Sequence, residues 1–327
     1  MTTRVEGGAS RVARSRVAGE PQPRRARGLW RDAWYRLTRN RAAVVGLFFV
    51  VLLVLVALLA SILAPYSFDR QDLESTDLGP SGAHLLGTDQ LGRDQLSRLL
   101  YGSRISLAVA FVDVLIVVVV GVPLGLAAGF FGRWVDTLVM RTVDVLLAFP
   151  SLLLVIVVIT YLRAVLDQPQ GAFLAVVGGL DKVTGGLLGV FIALGLVSWL
   201  TVARLVRGQV LSLKEKEFVE AARMVGGTNA RIMFRHLLPN TLAPVIVAAT
   251  FGIPGAIATE AGLSFLGLGV RPPNPSWGIL IAEGLRAMRA FPHEMIFPAL
   301  TLAITLICFN FLGDGLRDAL DTKLRVD

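Results

Sequence analysis

The chain is poor in every residue type from which catalytic and metal sites are usually built. Cys308, the one cysteine among 327 residues, lies inside a hydrophobic stretch, so no intrachain disulfide is possible and the redox compartment is left unmarked. It reads as a small core residue. The three histidines, His84, His236 and His293, fall in separate segments and share no metal-ligand spacing. There is no Gly-x-x-x-x-Gly-Lys-Ser/Thr loop to cradle phosphates, no His-Glu-x-x-His pair and no Gly-x-Ser-x-Gly elbow. Gly267-Leu268-Gly269 is only a fragment of a dinucleotide fingerprint, placed after an apolar run rather than a strand. The expectation is a protein that is not an enzyme, with no catalytic residue, metal or cofactor.

Charge is scarce too, at 17% of residues, whereas 54% are hydrophobic and the mean hydropathy is +0.66. That balance excludes an ordinary soluble domain and reads as an all-α integral membrane protein. A net charge of +8 in a soluble chain would point to nucleic acid, but no nucleic-acid module is present. The basic residues instead sit where the positive-inside rule places them.

Residues 1–28 form a basic tail rich in Gly, Pro and Ser, expected to be disordered and cytoplasmic; eleven arginines fall between Met1 and Arg41. Arg24-Arg25 invites a twin-arginine export reading, which the long apolar run that follows argues against. Residues 29–41 read as an interfacial helix with Trp30, Trp34 and Leu37 on one face. Residues 42–104 hold the first span, about 42–64, and an external segment with six acidic and four basic residues between Pro65 and Arg104. The core, 105–312, carries further spans at about 105–125, 143–162, 187–205, 242–258 and 296–312, against a hydrocarbon thickness of ~30 Å. Residues 313–327 return as a cytoplasmic tail, so six spans place both termini inside.

Within these spans, Gly121, Gly125 and Gly129 recur every fourth residue and predict close helix packing. Asp113 is a carboxylate in an apolar span; it either lines a path near the outer end or sits at the interface. Arg141 and Asp144 are three apart and predict an intrahelical pair. Pro150 predicts a kink. The run 171–180 is too short to span and reads as re-entrant or interfacial. Pro244, Gly252, Pro254 and Gly255 predict a broken fifth span, tolerated only against protein or a cavity.

The most informative polar stretch runs from Lys214 to Asn240. From Arg204 to His236 there are seven Arg or Lys against three Glu, which places this region in the cytoplasm. Glu220-Ala221-Ala222 lies on a first short helix that the Gly226-Gly227 pair closes. Thr228 is suited to cap a second, amphipathic one through Arg231, Ile232, Phe234 and Arg235, which Pro239 is expected to stop. Such a hairpin suits either lipid head groups or a protein partner.

Glu220, Ala221, Ala222, Gly226, Leu238 and Pro239 resemble the Glu-Ala-Ala loop of the membrane subunits of bacterial ABC importers. Gly87-Thr88-Asp89 and Gly92-Arg93-Asp94, within His84 to Leu107, resemble the N-terminal signature of the dipeptide, oligopeptide and nickel permease subfamily. Thr88 and Asp89 are there suited to cap a short helix. The run from Ser264 through Gly269 to Pro275, Ser276, Trp277 and Gly278 is similar to the same subfamily. The chain is thus identified as a member of that family, in the position of the second permease of a pair.

The resemblance implies a type I importer fold in the bacterial inner membrane. Its partners would be a second homologous permease, two ATP-binding ABC subunits that hydrolyse the nucleotide, an extracytoplasmic solute-binding protein, and membrane lipid. It further implies that Glu220, Ala221, Ala222, Arg223, Gly226, Arg231, Arg235 and Pro239 carry coupling to the ATPase. Asp89, Arg93, Asp94, Asp113, Ser264, Pro275 and Trp277 are candidates for the external loop or the pathway. Peptides are the expected cargo, with nickel or another small solute as the alternative. An ATP-independent secondary transporter or a membrane scaffold remain the rival classes.

Overall fold

A computed structural model describes residues 29–321; the tail 1–28 with its Arg24-Arg25 pair and the final residues 322–327 lie outside the described residues. The chain is helical, with no strand among the described residues. It comprises α1 (Leu29–Arg39), α2 (Arg41–Leu58), α3 (Ala60–Leu63), α4 (Gln95–Ile116), α5 (Val122–Phe131), α6 (Arg133–Leu147) and α7 (Ser151–Asp167). Then follow α8 (Ala172–Val183), α9 (Leu187–Leu213), α10 (Glu217–Met224), α11 (Asn229–Arg231), α12 (Leu238–Phe265), α13 (Trp277–Ala287) and α14 (His293–Leu320). Among the described residues five helical stretches are individually long and apolar enough to cross a membrane, and the bent pair α6–α7, taken as one span, makes a sixth.

The spans sort their side chains by size. On α2 the buried positions Ala43, Gly46, Val50, Leu53 and Ala57 recur every three or four residues, so they form one face, turned to α14. Phe48, Leu52, Leu55 and Leu58 point outward. Asn40 caps the helix by accepting from the Ala43 amide at 3.2 Å. Gly121, Gly125 and Gly129 pack against α9 as their spacing predicts. A Cβ on Gly125 would lie 2.4 Å from the Ala203 carbonyl oxygen and one on Gly129 2.8 Å from Val210 Cβ. The absence of side chains there is what lets the two helices touch.

Several boundaries differ from the sequence expectation. The second span is part of one helical stretch from Gln95 to Phe131, through a π-helical segment at Val117–Gly121. The third span does not run unbroken from 143 to 162: the chain turns by 91° between α6 and α7, and Pro150 stands at the start of α7. Asp144 pairs with Arg204 of α9 at 2.7 Å and not with Arg141, because the face of α6 that carries it packs on α9. Residues 172–183 form a 12-residue helix. The fifth span is unbroken despite Pro244 and Pro254, and α14 continues helical to Leu320, eight residues beyond the expected sixth span. On α1 the packed residues are Ala33 and Leu37, while Trp34 is exposed.

At the end of the bundle away from the 214–240 hairpin, the segment 65–94 is folded onto α4 and α13 by buried charge. Asp89 does not cap a helix. Its carboxylate accepts from the amides of Leu91 and Arg93 at 2.9 Å each, from Arg93 Nε at 2.7 Å and from Arg98 Nη1 at 2.5 Å. Glu283 of α13 accepts from the same two arginines at 3.1 and 2.5 Å. The helix cap is Asp94, which accepts from the Ser97 amide and hydroxyl, both at 2.7 Å, and lies 2.9 Å from His84 Nδ1. The Thr88 hydroxyl instead donates to the Ser75 carbonyl and accepts from the Leu78 amide.

Arg98 is 1% exposed, and Asp89 is its one buried carboxylate partner, so removing Asp89 leaves a buried cation held only by Glu283 at the rim. The Asp89→Ala variant is expected to lose about 3–5 kcal/mol of stability, as for a broken buried pair. Glu283→Gln, at the half-buried rim, should lose far less. Thermal unfolding of both variants in detergent checks this, and equal losses would show that Asp89 is not the anchor.

Candidate functional site

The hairpin is built into the bundle and does not merely lie on it. Val219 of α10 and Ile232, Met233 and Leu237 of the returning helical arm of the hairpin are buried together with Val206 and Val210 of α9 and Val245 of α12. At about 1.5–3 kcal/mol for each large apolar side chain buried, this small core fixes the hairpin to the helix ends. Lys214 Nζ donates to the Gly129 carbonyl at 3.3 Å, a cation against the end of α5.

The turn has the geometry that its residues require. Gly226 lies at φ +80°, its amide donates to the Arg223 carbonyl at 2.9 Å, and the Gly227 amide donates to the Ala222 carbonyl at 2.9 Å. This paired closure ends α10 with a left-handed residue. The Thr228 hydroxyl then accepts from the Arg231 amide at 3.3 Å and starts the next helix.

Pro239 does not stop that helix. Residues Ile232–Leu237 form a π-helical segment, and Pro239 follows directly on it, where the chain passes from π- to α-helical pairing. From Asn229 to Phe265 the chain is one helical stretch of 37 residues.

Glu220, Ala221, Arg223, Gly226, Arg231, Arg235 and Pro239 are all exposed, whereas Ala222 is half-buried. None of the four charged side chains has an ion-pair partner within 4.0 Å among the described residues. Beside them, Met224 and Val225 at the tip are 88% exposed, with Phe218 and Phe234 also uncovered.

A second feature lies at mid-bundle. Between α4, α7, α9 and α12 is a cavity of about 760 Å³, lined mainly by apolar and small residues with Asp113, Ser151, Ser198, Thr201 and Thr259 as its polar members. Asp113 is 6% exposed and sits in the wall of this cavity. Gly252, Gly255 and Gly262 form the α12 side, and a Cβ on any of them would meet nothing within 4 Å.

Ser264 and Trp277 belong to a neighbouring polar knot that the sequence reading did not centre correctly. Its hub is Glu260, a fully buried carboxylate that accepts from the Ser264 hydroxyl at 2.6 Å and the Ser106 hydroxyl at 3.3 Å. Ser276 donates to Ser264 at 3.2 Å, and the Trp277 amide donates to Ser106 at 3.4 Å. Trp277 Nε1 reaches the Leu99 carbonyl at 3.3 Å, and Pro275 is buried with it. The residues expected on an outer loop thus join α4, α12 and α13 inside the protein. Glu260 carried a usable signal, being a lone carboxylate in an apolar run like Asp113; Glu283 carried none, because its partners lie 185 and 190 residues away.

Comparison with known proteins agrees with this architecture. Residues 121–326 match the family described as binding-protein-dependent transport system inner membrane component, and residues 28–80 match the N-terminal TM domain of oligopeptide transport permease C. The chain is 40% identical over 296 residues to the dipeptide transport system permease protein DppC of Alkalihalophilus pseudofirmus, covering 90% of each. It is 42% identical over 297 residues to the glutathione transport system permease protein GsiD of Pectobacterium atrosepticum, covering 90% of this chain and 92% of the relative. With the oligopeptide transport system permease protein OppC of Haemophilus influenzae it shares 40% identity over 323 residues, 98% of this chain and 95% of the relative. A multi-pass helical bundle, an OppC-type N-terminal segment and a family match over most of the core together place this chain in the family of binding-protein-dependent transport permeases of bacterial inner membranes.

Proposed function

We propose that this chain is one of two permease subunits of an ATP-driven importer and supplies half of a pathway for di- or oligopeptides delivered by an extracytoplasmic solute-binding protein. The observation that carries the mechanism is the single helical stretch from Asn229 to Phe265. At 1.5 Å per residue it is about 55 Å long; it begins in the hairpin and ends past the cavity wall. A displacement of the hairpin is therefore a displacement of the side of the cavity formed by Gly252, Gly255 and Thr259.

The ATP-binding subunits dock on the hairpin through the exposed Glu220-Ala221 face, the tip residues Met224 and Val225, and the unpaired Arg223, Arg231 and Arg235. Uncovered apolar side chains rimmed by charge are the composition expected of a docking surface. When ATP draws those subunits together, the hairpin turns as a rigid body and the permease exchanges inward and outward openings, because the ligands bind the two states unequally. Hydrolysis belongs to the partners, and this chain contributes no chemistry.

Orientation follows from charge. The hairpin end carries the basic residues of 204–236, and both α1 and the end of α14 lie at that end, so both are assigned to the cytoplasm. The opposite end, with the acidic segment 65–94, faces the binding protein. Peptides suit the cavity better than nickel, since one carboxylate and four hydroxyls make a poor nickel site and ample room for variable side chains.

Two variants test the coupling role. At φ +80° a valine replacing Gly226 is strained by about 1–2 kcal/mol, and its Cβ itself enters open space. In the complete complex in nanodiscs, Gly226→Val and Glu220→Ala are expected to insert normally and to lower transport per ATP hydrolysed about ten-fold, the scale of a 1–3 kcal/mol coupling. Loss of insertion in Gly226→Val would make it a folding residue instead; unchanged coupling ratios in both would remove the hairpin from the mechanism. Filling the cavity with Gly255→Leu is expected to abolish uptake while the complex still assembles, and normal uptake would show that the path runs elsewhere.

A further inference from the structure

Asp113 and Glu260 are buried carboxylates within long apolar helical stretches, and their surroundings differ. Glu260 is fully enclosed, and hydroxyls of Ser264 and Ser106 occupy its oxygens, so its place is structural. Asp113 lies in the wall of the 760 Å³ cavity. It is eight residues past Ile105, roughly 12 Å along the helix from the expected outer edge of the span. No lysine, arginine or histidine lines that cavity, and no cation lies within 4.0 Å of Asp113 among the described residues. The side chain that faces it is Ser198, whose buried oxygen completes no hydrogen bond of ordinary geometry.

A carboxylate without a counter-charge in an apolar wall is costly, and a cation that reaches it recovers that cost. The relatives named above carry dipeptides, oligopeptides and glutathione by their names. Such molecules differ in size and side chains but share a free ammonium group. The α12 part of the same wall suits that variety, because Gly252, Gly255 and Gly262 leave open space for whatever follows the amine.

We propose that Asp113, with Ser198, forms a transit site in the cavity wall that receives the free ammonium group of the cargo. This rests on the reading of the chain as a peptide permease. One charge-assisted contact holds the amine in a fixed place and leaves the rest of the molecule unread. A single weak anchor also permits release, which a conducting path requires. Asp113 is in this sense a specificity-determining residue for amines.

The test separates this site from the binding protein, which has its own selectivity. The complete permease–ATPase complex in nanodiscs, without the binding protein, is titrated with Ala-Phe and with N-acetyl-Ala-Phe. Wild type is expected to hold the free amine at least about ten-fold more tightly, equivalent to about 1.4 kcal/mol. Asp113→Asn should bring the two affinities within about two-fold, and Asp113→Glu should restore most of the difference. Equal binding of both peptides by wild type, no binding of either, or a preference that survives in Asp113→Asn overturns the proposal. The wild-type comparison stands alone if Asp113→Asn fails to assemble. Binding-protein-dependent uptake of Ala-Phe by wild type is measured in parallel: its absence sinks the peptide reading itself, whereas uptake without an amine preference sinks only this inference.

Discussion

In hydrocarbon a peptide group that loses its partner costs several kcal/mol, so a membrane helix must satisfy its own backbone. The stretch from Asn229 to Phe265 meets that constraint through a π-helical segment and three prolines, Pro239, Pro244 and Pro254. The first proline stands where the π-helical segment passes into α12, so its missing N–H falls at a change of pairing. Pro254 is buried among neighbouring helices, where packing holds the geometry that the lost bond no longer does. Because this stretch does not break, the hairpin and the cavity wall are mechanically one object. The small core around Val219, Ile232 and Leu237 then prevents the hairpin from hinging freely on its own helix.

Charge is placed with the same economy of purpose. At the end opposite the hairpin, Asp89 and Glu283 neutralise Arg93 and Arg98 and fold an extended segment onto α4 and α13. At the hairpin end, Arg207 and Arg204 on α9 are tied to Asp136 and Asp144 on α6, which holds the bent helix against the bundle. These pairs join elements far apart in sequence. Among the described residues the hairpin's own charges make no such pairs, as the proposed docking surface requires.

Much of this was legible in the sequence, and the failures have physical causes. Gly226 and Thr228 were read correctly because a left-handed closure and a hydroxyl cap are local chemistry, as was the small-residue stripe of Gly121, Gly125 and Gly129. Pro239 was read as a stop, since propensity knows nothing of the π-helical segment before it or of the span it opens. Arg141 and Asp144 have the spacing of a pair, but tertiary packing gave Asp144 to Arg204. Asp89 resembled a cap, yet Asp94 holds that position and Asp89 serves two arginines, one of them nine residues on. Ser264 and Trp277 were recognised as a motif and expected on an external loop or the pathway; that they are buried follows from Glu260, whose role becomes visible only when α4, α12 and α13 meet.

The distribution of side-chain size around the bundle gives the last step. Ile296, Leu300, Ile304, Ile307 and Phe311 make one outward stripe on α14, and α2 presents Phe48, Leu52 and Leu55, bulky surfaces suited to lipid chains. The cavity side of α12 is the reverse: Gly255, Ala258 and Gly262 are exposed and small. Lipid offers no reason to keep one helix face so bare, whereas a pathway shared with a second helical subunit does, because room for cargo has to be left by residues that do not fill it. The carboxylate of Asp113 lines the same space, with no counter-charge within 4.0 Å among the described residues. A bulky lipid face, a bare cavity face and one open charge between them are what half of a pathway needs, and under the proposed function the hairpin at the end of α12 would move that half.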